Sequence, residues 1–164
     1  MGTPKSPVVQ EVGPGELEEV IKMDLECDLE IMRLNGKKPS NIKSFARIHR
    51  NNFLAAYNEP VEQRIFGAKV GNALVGFVWV RIEPEIEEMV PVGFVESIFV
   101  KSEYRGNGLG KALIRSAERF CKGKGVSRLE LVVNAKNRSA IDFYRSMGFK
   151  ARRYTLERRL VPAR

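Results

Sequence analysis

The sequence predicts an α/β fold, one mixed sheet with helices on both faces, on three observations. Two stretches repeat apolar residues every three or four positions, as one face of a helix does. They are Leu17, Val20, Ile21, Leu25, Leu29 and Met32, then Leu109, Leu113, Ile114, Ala117 and Phe120. The stretch ALVGFVWVRI (73–82) is apolar almost throughout, as a central strand buried on both faces is, and VGFVESIFV (92–100) reads as another strand. Turn signals, Gly13-Pro14-Gly15, Asn35-Gly36 and Gly71-Asn72, separate these runs.

Each element has its own justification. Residues 7–12 form an apolar run that the Gly13-Pro14-Gly15 turn ends, so they read as a strand. Residues 16–34 are the first helix, stopped by Asn35-Gly36. After a polar stretch through Pro39, the spacing of Phe45, Ile48, Phe53 and Ala56 predicts a second helix. Residues 64–70 and 73–82 are two strands joined by the tight Gly71-Asn72 turn, with Trp79 in the core. An acidic loop, 83–88, leads into the strand at 92–100. The second periodic run is a helix ending at Gly123 or Gly125. Residues 127–133 read as a strand, 139–147 as a short helix, and 149–160, alternating apolar and basic, as a last strand. The predicted order is β-α-α-β-β-β-α-β-α-β.

With 164 residues the chain suits one domain, 1–164, with a substantial core. No apolar run approaches the ~20 residues of a membrane span. MGTPKSPVVQ lacks the apolar centre of a secretion signal. A cytoplasmic protein with no membrane partner is therefore expected. Cys27 and Cys121 fit reduced thiols rather than a disulfide framework, and His49, the only histidine, rules out a histidine-rich metal site. No metal is expected. The net charge of +8 is uneven. Residues 1–100 hold eleven basic and fifteen acidic side chains, while residues 101–164 hold seventeen and five. A basic half suits a polyanion, nucleic acid or a phosphorylated small molecule, or is simply a solvated surface.

The segment YRGNGLG (104–110) packs three glycines into five positions ahead of a helix. Such a turn aims unpaired N–H groups at one spot beside the positive end of the helix dipole, which suits a phosphate. Arg105 and Lys111 add charge. The segment is not a P-loop, because Ala112 follows Gly110-Lys111 and Arg105 stands where that motif's first glycine belongs. It is not a dinucleotide fingerprint either, because the third glycine would fall on Lys111 or Leu113.

The pattern Arg105-x-x-Gly108-x-Gly110 after an apolar strand resembles the coenzyme A pyrophosphate loop of the GNAT superfamily of N-acetyltransferases. Further on, Asn137-x-x-Ala140-x-x-Phe143-Tyr144-x-x-x-Gly148-Phe149 resembles that family's second signature at a fitting separation. The likeness is strongest over 92–150, the expected acetyl-CoA-binding core. It implies the GNAT fold, a mixed and mostly antiparallel sheet of six to seven strands flanked by about four helices. It implies direct transfer of an acetyl group from acetyl-CoA, the cosubstrate, to an amine within a ternary complex. The acceptor would be a protein N-terminus, a lysine or a small-molecule amine. Dimers are common in the family, so a homodimer is possible.

By that resemblance the strand ending Ile98-Phe99-Val100 holds the pantetheine arm, with backbone groups of Ile98 and Val100 pairing to it or polarising the thioester. Amides of Arg105, Gly106, Asn107, Gly108, Leu109, Gly110 and Lys111 would grip the pyrophosphate. Tyr144 would lie by the cofactor sulfur as the acid for the departing thiolate; a phenol is protonated at neutral pH and can donate. The alternative is a core aromatic like Phe143. Glu96 interrupts an apolar strand, where a charge is costly without a task or partner. It is the candidate base for the ammonium, or else a solvent-facing glutamate. Asn137 is a cofactor contact, the cap of its helix, or both. The acidic 83–88 loop and the acidic helix segment 24–30 could draw in a cationic acceptor or could be solvated faces. The arginine pairs Arg152-Arg153 and Arg158-Arg159 could attract coenzyme phosphates or bind RNA. Two rival functions stay open: an inactive coenzyme A-binding sensor, and a nucleic-acid module, for which no recognised motif appears.

Overall fold

The computed structural model describes residues 7–85, 87–158 and 160. Five strands lie side by side in chain order: β1 (Val8–Glu11), β2 (Gln63–Val70), β3 (Ala73–Glu85), β4 (Val90–Val100) and β5 (Leu129–Leu131). The first four pair antiparallel, and β5 joins β4 in parallel. The helices are α1 (Leu17–Leu34), α2 (Ile42–Tyr57), α3 (Leu109–Gly123) and α4 (Arg138–Ser146). Local chemistry places their ends. Asn41 caps α2 by accepting the Ser44 N–H at 3.0 Å. Gly36, at φ +66°, takes the left-handed turn after α1, and Gly71, at φ +62°, turns β2 into β3.

The unbroken apolar run of β3 has a simple cause. Alternate side chains enter two separate cores, one on each face of the sheet. Val75, Val78 and Val80 pack with Val95 of β4 and with Leu113, Ile114 and Ala117 of α3. Phe77 and Trp79 pack instead with Val20 and Met23 of α1, Phe53 of α2 and Phe99 of β4. Trp79 is a core residue, as expected, and its indole N–H donates to Gln63 at 2.8 Å.

The structure differs from the sequence reading in three places. Residues 149–158 and 160, expected as a sixth strand, form none. β5 is only three residues long and offers little edge to pair with. Ion pairs hold the segment instead: Arg153 binds Glu85, and Arg152 reaches Glu130 at 2.8 Å and Glu88 at 2.5 Å. The acidic loop is shorter than expected, because β3 runs on through Glu85 and β4 begins at Val90. The inner face of α1 is also rotated. Val20, Ile21 and Met23 are buried, whereas Leu25, Leu29 and Met32 are only half-buried and stay outside both cores.

Gly76 keeps β3 against β4. A Cβ there would stand 2.8 Å from the Phe99 carbonyl oxygen and 3.2 Å from the Val100 Cα, both backbone atoms that cannot rotate away. Gly76→Ala is expected to lower stability by about 1–3 kcal/mol through overpacking, read as a lower urea midpoint.

Candidate active site

β4 and β5 pair only along Gly93–Val95 and Leu129–Leu131, then part. On its other edge β4 carries a bulge. Val80 faces Val95 and Trp79 faces Ser97, so Glu96 has no partner on β3. Past the bulge, the edge of β4 that faced β5 is open. Residues of an antiparallel ladder alternate between bonding their partner and turning both backbone groups away. Ile98 and Val100 are of the second kind: the Ile98 carbonyl meets the Cys27 thiol at 3.9 Å, and the Val100 carbonyl accepts Arg105 Nε at 2.7 Å. Their N–H groups share that edge. The gap opens into a cleft of about 1290 Å³ walled by α1, α2, β4, the glycine loop and α4.

The loop ends this cleft. Gly106 and Gly108 sit at φ +80° and +79°, which side chains resist, and Gly108 caps α3 in the left-handed conformation. The first helical bond runs from the Ala112 N–H to the Gly108 carbonyl at 3.0 Å, so the N–H groups of Leu109, Gly110 and Lys111 have no partner inside the helix. The Leu109 side chain is buried in the α3 core, leaving its amide as the group available to a ligand. Asn107 and Lys111 are exposed, and no ion pair to Lys111 occurs among the described residues. Arg105 turns aside. Its guanidinium binds the Glu30 carboxylate at 2.9 and 3.0 Å and lies 5.2 Å above the Phe99 ring. Oriented amides at a helix start, small residues and a free lysine suit a pyrophosphate.

The two glycine-bearing signatures meet in space. A Cβ on Gly110 would come within 3.1 Å of Phe143 Cζ, so the glycine lets α4 lie directly on the start of α3. Asn137 caps α4, accepting the Ala140 N–H at 3.2 Å, and also lines the cleft. Tyr144 follows Phe143 into the cleft, held by that ring at 5.2 Å between centroids and by Phe149 at 5.7 Å. Burial, together with the nearby Cys27 sulfur, pushes its phenol up to about 12. Tyr144 therefore keeps its proton throughout the neutral range.

Opposite lies a group of which the sequence reading named Glu96 and the acidic segment 24–30, but neither Ser97 nor a role for His49. Asp24 of α1 accepts Ser97 Oγ of β4 at 2.5 Å and meets His49 Nε2 of α2 at 3.0 Å. Asp28, one turn along, is 3.6 Å from the same nitrogen. Glu96 lies 3.8 Å from Arg81, which also binds Glu59 and Glu83. Burial raises the Glu96 carboxyl above the ordinary range despite Arg81, and burial and Asp24 likewise raise Asp28. The Asp24 hydrogen bond raises the His49 imidazole against its burial. A signal for this group was available. Asp24, Cys27 and Asp28 continue the three-and-four spacing of Val20 and Ile21, so polar groups interrupt an apolar stripe.

A raised imidazole stabilises the fold while it is protonated. That contribution is complete below the unfolded pKa of about 6.5 and is lost as pH climbs through the higher folded value. His49→Asn is expected to flatten the decline of the urea midpoint over that window. An unchanged decline would assign it to other groups.

Part of the charge asymmetry of the chain resolves into internal pairs. Arg128, Arg152 and Arg153 bind Glu85, Glu87, Glu88 and Glu130, so the acidic hairpin and the basic tail neutralise each other. Arg159 lies outside the described residues. Among the described residues no helix is long and apolar enough to cross a membrane.

Residues 29–149, most of the chain, match the acetyltransferase (GNAT) family. The chain belongs to that family. An uncharacterized N-acetyltransferase of Methanocaldococcus jannaschii is 36% identical over 94 residues, 54% of this chain and 40% of that relative. The match thus spans less than half the length of this curated relative. A Pyrococcus furiosus structure described as an acetyl transferase superposes with a TM-score of 0.83 at 27% identity, over 94% of this chain and 100% of its own. An aminoglycoside N-acetyltransferase in complex with CoA shares the fold at TM-score 0.72 and 18% identity, over 98% of each chain. The GNAT fold expected from the two signatures is therefore present, with five strands among the described residues rather than six or seven.

Proposed function

We infer that this GNAT chain transfers an acetyl group from acetyl-CoA directly to an amine. The observation that carries this reading is the parted β4–β5 edge, which ends at a nest of free amides and brings Tyr144 and Glu96 to one cleft. Acetyl-CoA supplies the activated acyl carbon. The chain's residues do the rest. The open edge at Ile98 and Val100, with Phe99 between them, suits a linear amide-bearing arm. The amides from Gly106 to Lys111 suit two phosphates, and the side chain of Arg105 shapes the turn through Val100 and Glu30. Asn137 orders α4 and borders the same cleft.

Glu96 accepts a proton from the arriving ammonium, whose own pKa near about 10.4 leaves it almost wholly charged at neutral pH. The raised Glu96 carboxyl is the better base for it. Tyr144 donates a hydrogen bond to the departing sulfur, which leaves as the C–S bond breaks and takes up the second proton that the amine loses as the amide forms. The test pairs binding with chemistry. Millimolar acetyl-CoA should raise the melting temperature, and mass spectrometry of incubations with peptides, polyamines and other amines should reveal a product heavier by one acetyl group. Neither stabilisation nor product would overturn the reading.

A further inference from the structure

We propose that Asp24, Asp28 and His49, with Ser97 and Glu96 at the bulge, form the seat of a cationic acceptor, an alkyl amine carrying a second positive charge. This rests on the acetyltransferase reading above and adds the acceptor's class to it.

The cleft is polar in the electrical sense. Its loop end carries Lys111 and free amides, while its α1–α2 end carries Asp24, Asp28 and Glu96. The acidic end is short of positive charge. Among the described residues Arg81 is shared among Glu59, Glu83 and Glu96, and His49 is the one basic partner of both Asp24 and Asp28. Burial first, and neighbouring carboxylates after it, raise Asp28 and Glu96, and a cation seated beside them would offset both. His49 is 8% exposed and lines the cleft, and its Nδ1 is buried without a hydrogen-bond partner among the described residues. That is an orphaned polar atom on a residue of the cleft wall, and it points to a missing ligand.

The wall beside the cluster is apolar, from Phe53 and Trp79, so it suits a methylene stem between charges. A diamine or a lysine side chain in a basic peptide meets these requirements. An amine bearing a carboxylate or phosphate does not, because its anion would face Asp28. Asp24 and His49 are positioning residues: the carboxylate is fixed between the Ser97 hydroxyl and the imidazole, and it holds the seat beside Glu96.

As the sole histidine, His49 gives one set of imidazole resonances. The groups facing it are Asp24 and Asp28 from α1; across the cleft Glu96 of β4 is paired with Arg81 of β3. The experiment is an NMR titration of His49 with pH in the presence of coenzyme A, with and without saturating 1,4-diaminobutane. A cation placed within a few ångströms should lower the imidazole midpoint by about one unit. Asp28→Asn, at a half-exposed position, should reduce that displacement and weaken diamine binding about tenfold, leaving stabilisation by acetyl-CoA unchanged. An imidazole midpoint unmoved by the diamine, or moved equally by 6-aminohexanoate, would overturn the proposal even if acetyl-CoA binds. Loss of acetyl-CoA stabilisation in the unaltered protein would instead count against the acetyltransferase reading.

Discussion

Tyr144→Phe is expected to lower kcat by about 10- to 100-fold while leaving acetyl-CoA affinity within about twofold. The magnitude follows from the phenol's environment. With its pKa pushed up to about 12, Tyr144 is a poorer acid than the sulfur it serves, since a thiol titrates near about 8.5. Full transfer to the thiolate would run uphill. Tyr144 therefore acts by donating a hydrogen bond to the sulfur as negative charge gathers there, keeping its own proton. Such a bond to a charged acceptor contributes about 1.5–3 kcal/mol, hence the 10- to 100-fold range. Binding changes little because the ring contacts with Phe143 and Phe149 survive the loss of the hydroxyl. Steady-state kinetics with calorimetric affinity would check this. Unchanged kcat would remove Tyr144 from the chemistry, and an equal loss in affinity would make it a binding residue.

The second large effect belongs to the loop. Both Gly106 and Gly108 hold positive φ, with open space where a Cβ would stand, so the obstacle to substitution is conformational and not a clash. Placing alanine in the left-handed region costs about 1–2 kcal/mol per residue. In Gly106→Ala/Gly108→Ala the strain, about 2–4 kcal/mol together, is relieved if the loop leaves its native path. The amides would then no longer converge. Acetyl-CoA Kd should rise at least about 30-fold. The fold itself should survive, because the α3 core from Leu109 onward does not depend on the loop's path. Calorimetry on a variant with native circular dichroism measures the effect; wild-type affinity would mean that the phosphates bind elsewhere.

Much of this arrangement was legible in the chain. The glycine spacing, the apolar strand before it and the Asn137–Phe149 signature were enough to predict the GNAT fold, though with six to seven strands where five are described. Glu96 stood out as a charge in an apolar strand, and the bulge gives it its place opposite no partner. What escaped was information carried by contacts distant in sequence. Leu17, Val20 and Ile21 were placed correctly, but Leu25, Leu29 and Met32 outweighed Asp24 and Asp28 in any reading by hydrophobicity, so the second half of the inner face of α1 was misplaced. Only the approach of β4 and α2 reveals that Ser97 and His49 hold Asp24 from two directions. The 149–160 segment alternates as a strand does, but alternation cannot say whether a neighbour's edge is free. β5, three residues long, has little to offer, and the tail's arginines found the β3–β4 hairpin instead.

A crystal structure with acetyl-CoA bound measures most directly whether the loop and the open edge act together. The expected result has pyrophosphate oxygens within hydrogen-bonding distance of amides between Gly106 and Lys111, the arm along Ile98–Val100, and the sulfur beside the Tyr144 hydroxyl. A pyrophosphate seated on the arginines of the C-terminal segment, with the sulfur remote from Tyr144, would contradict it.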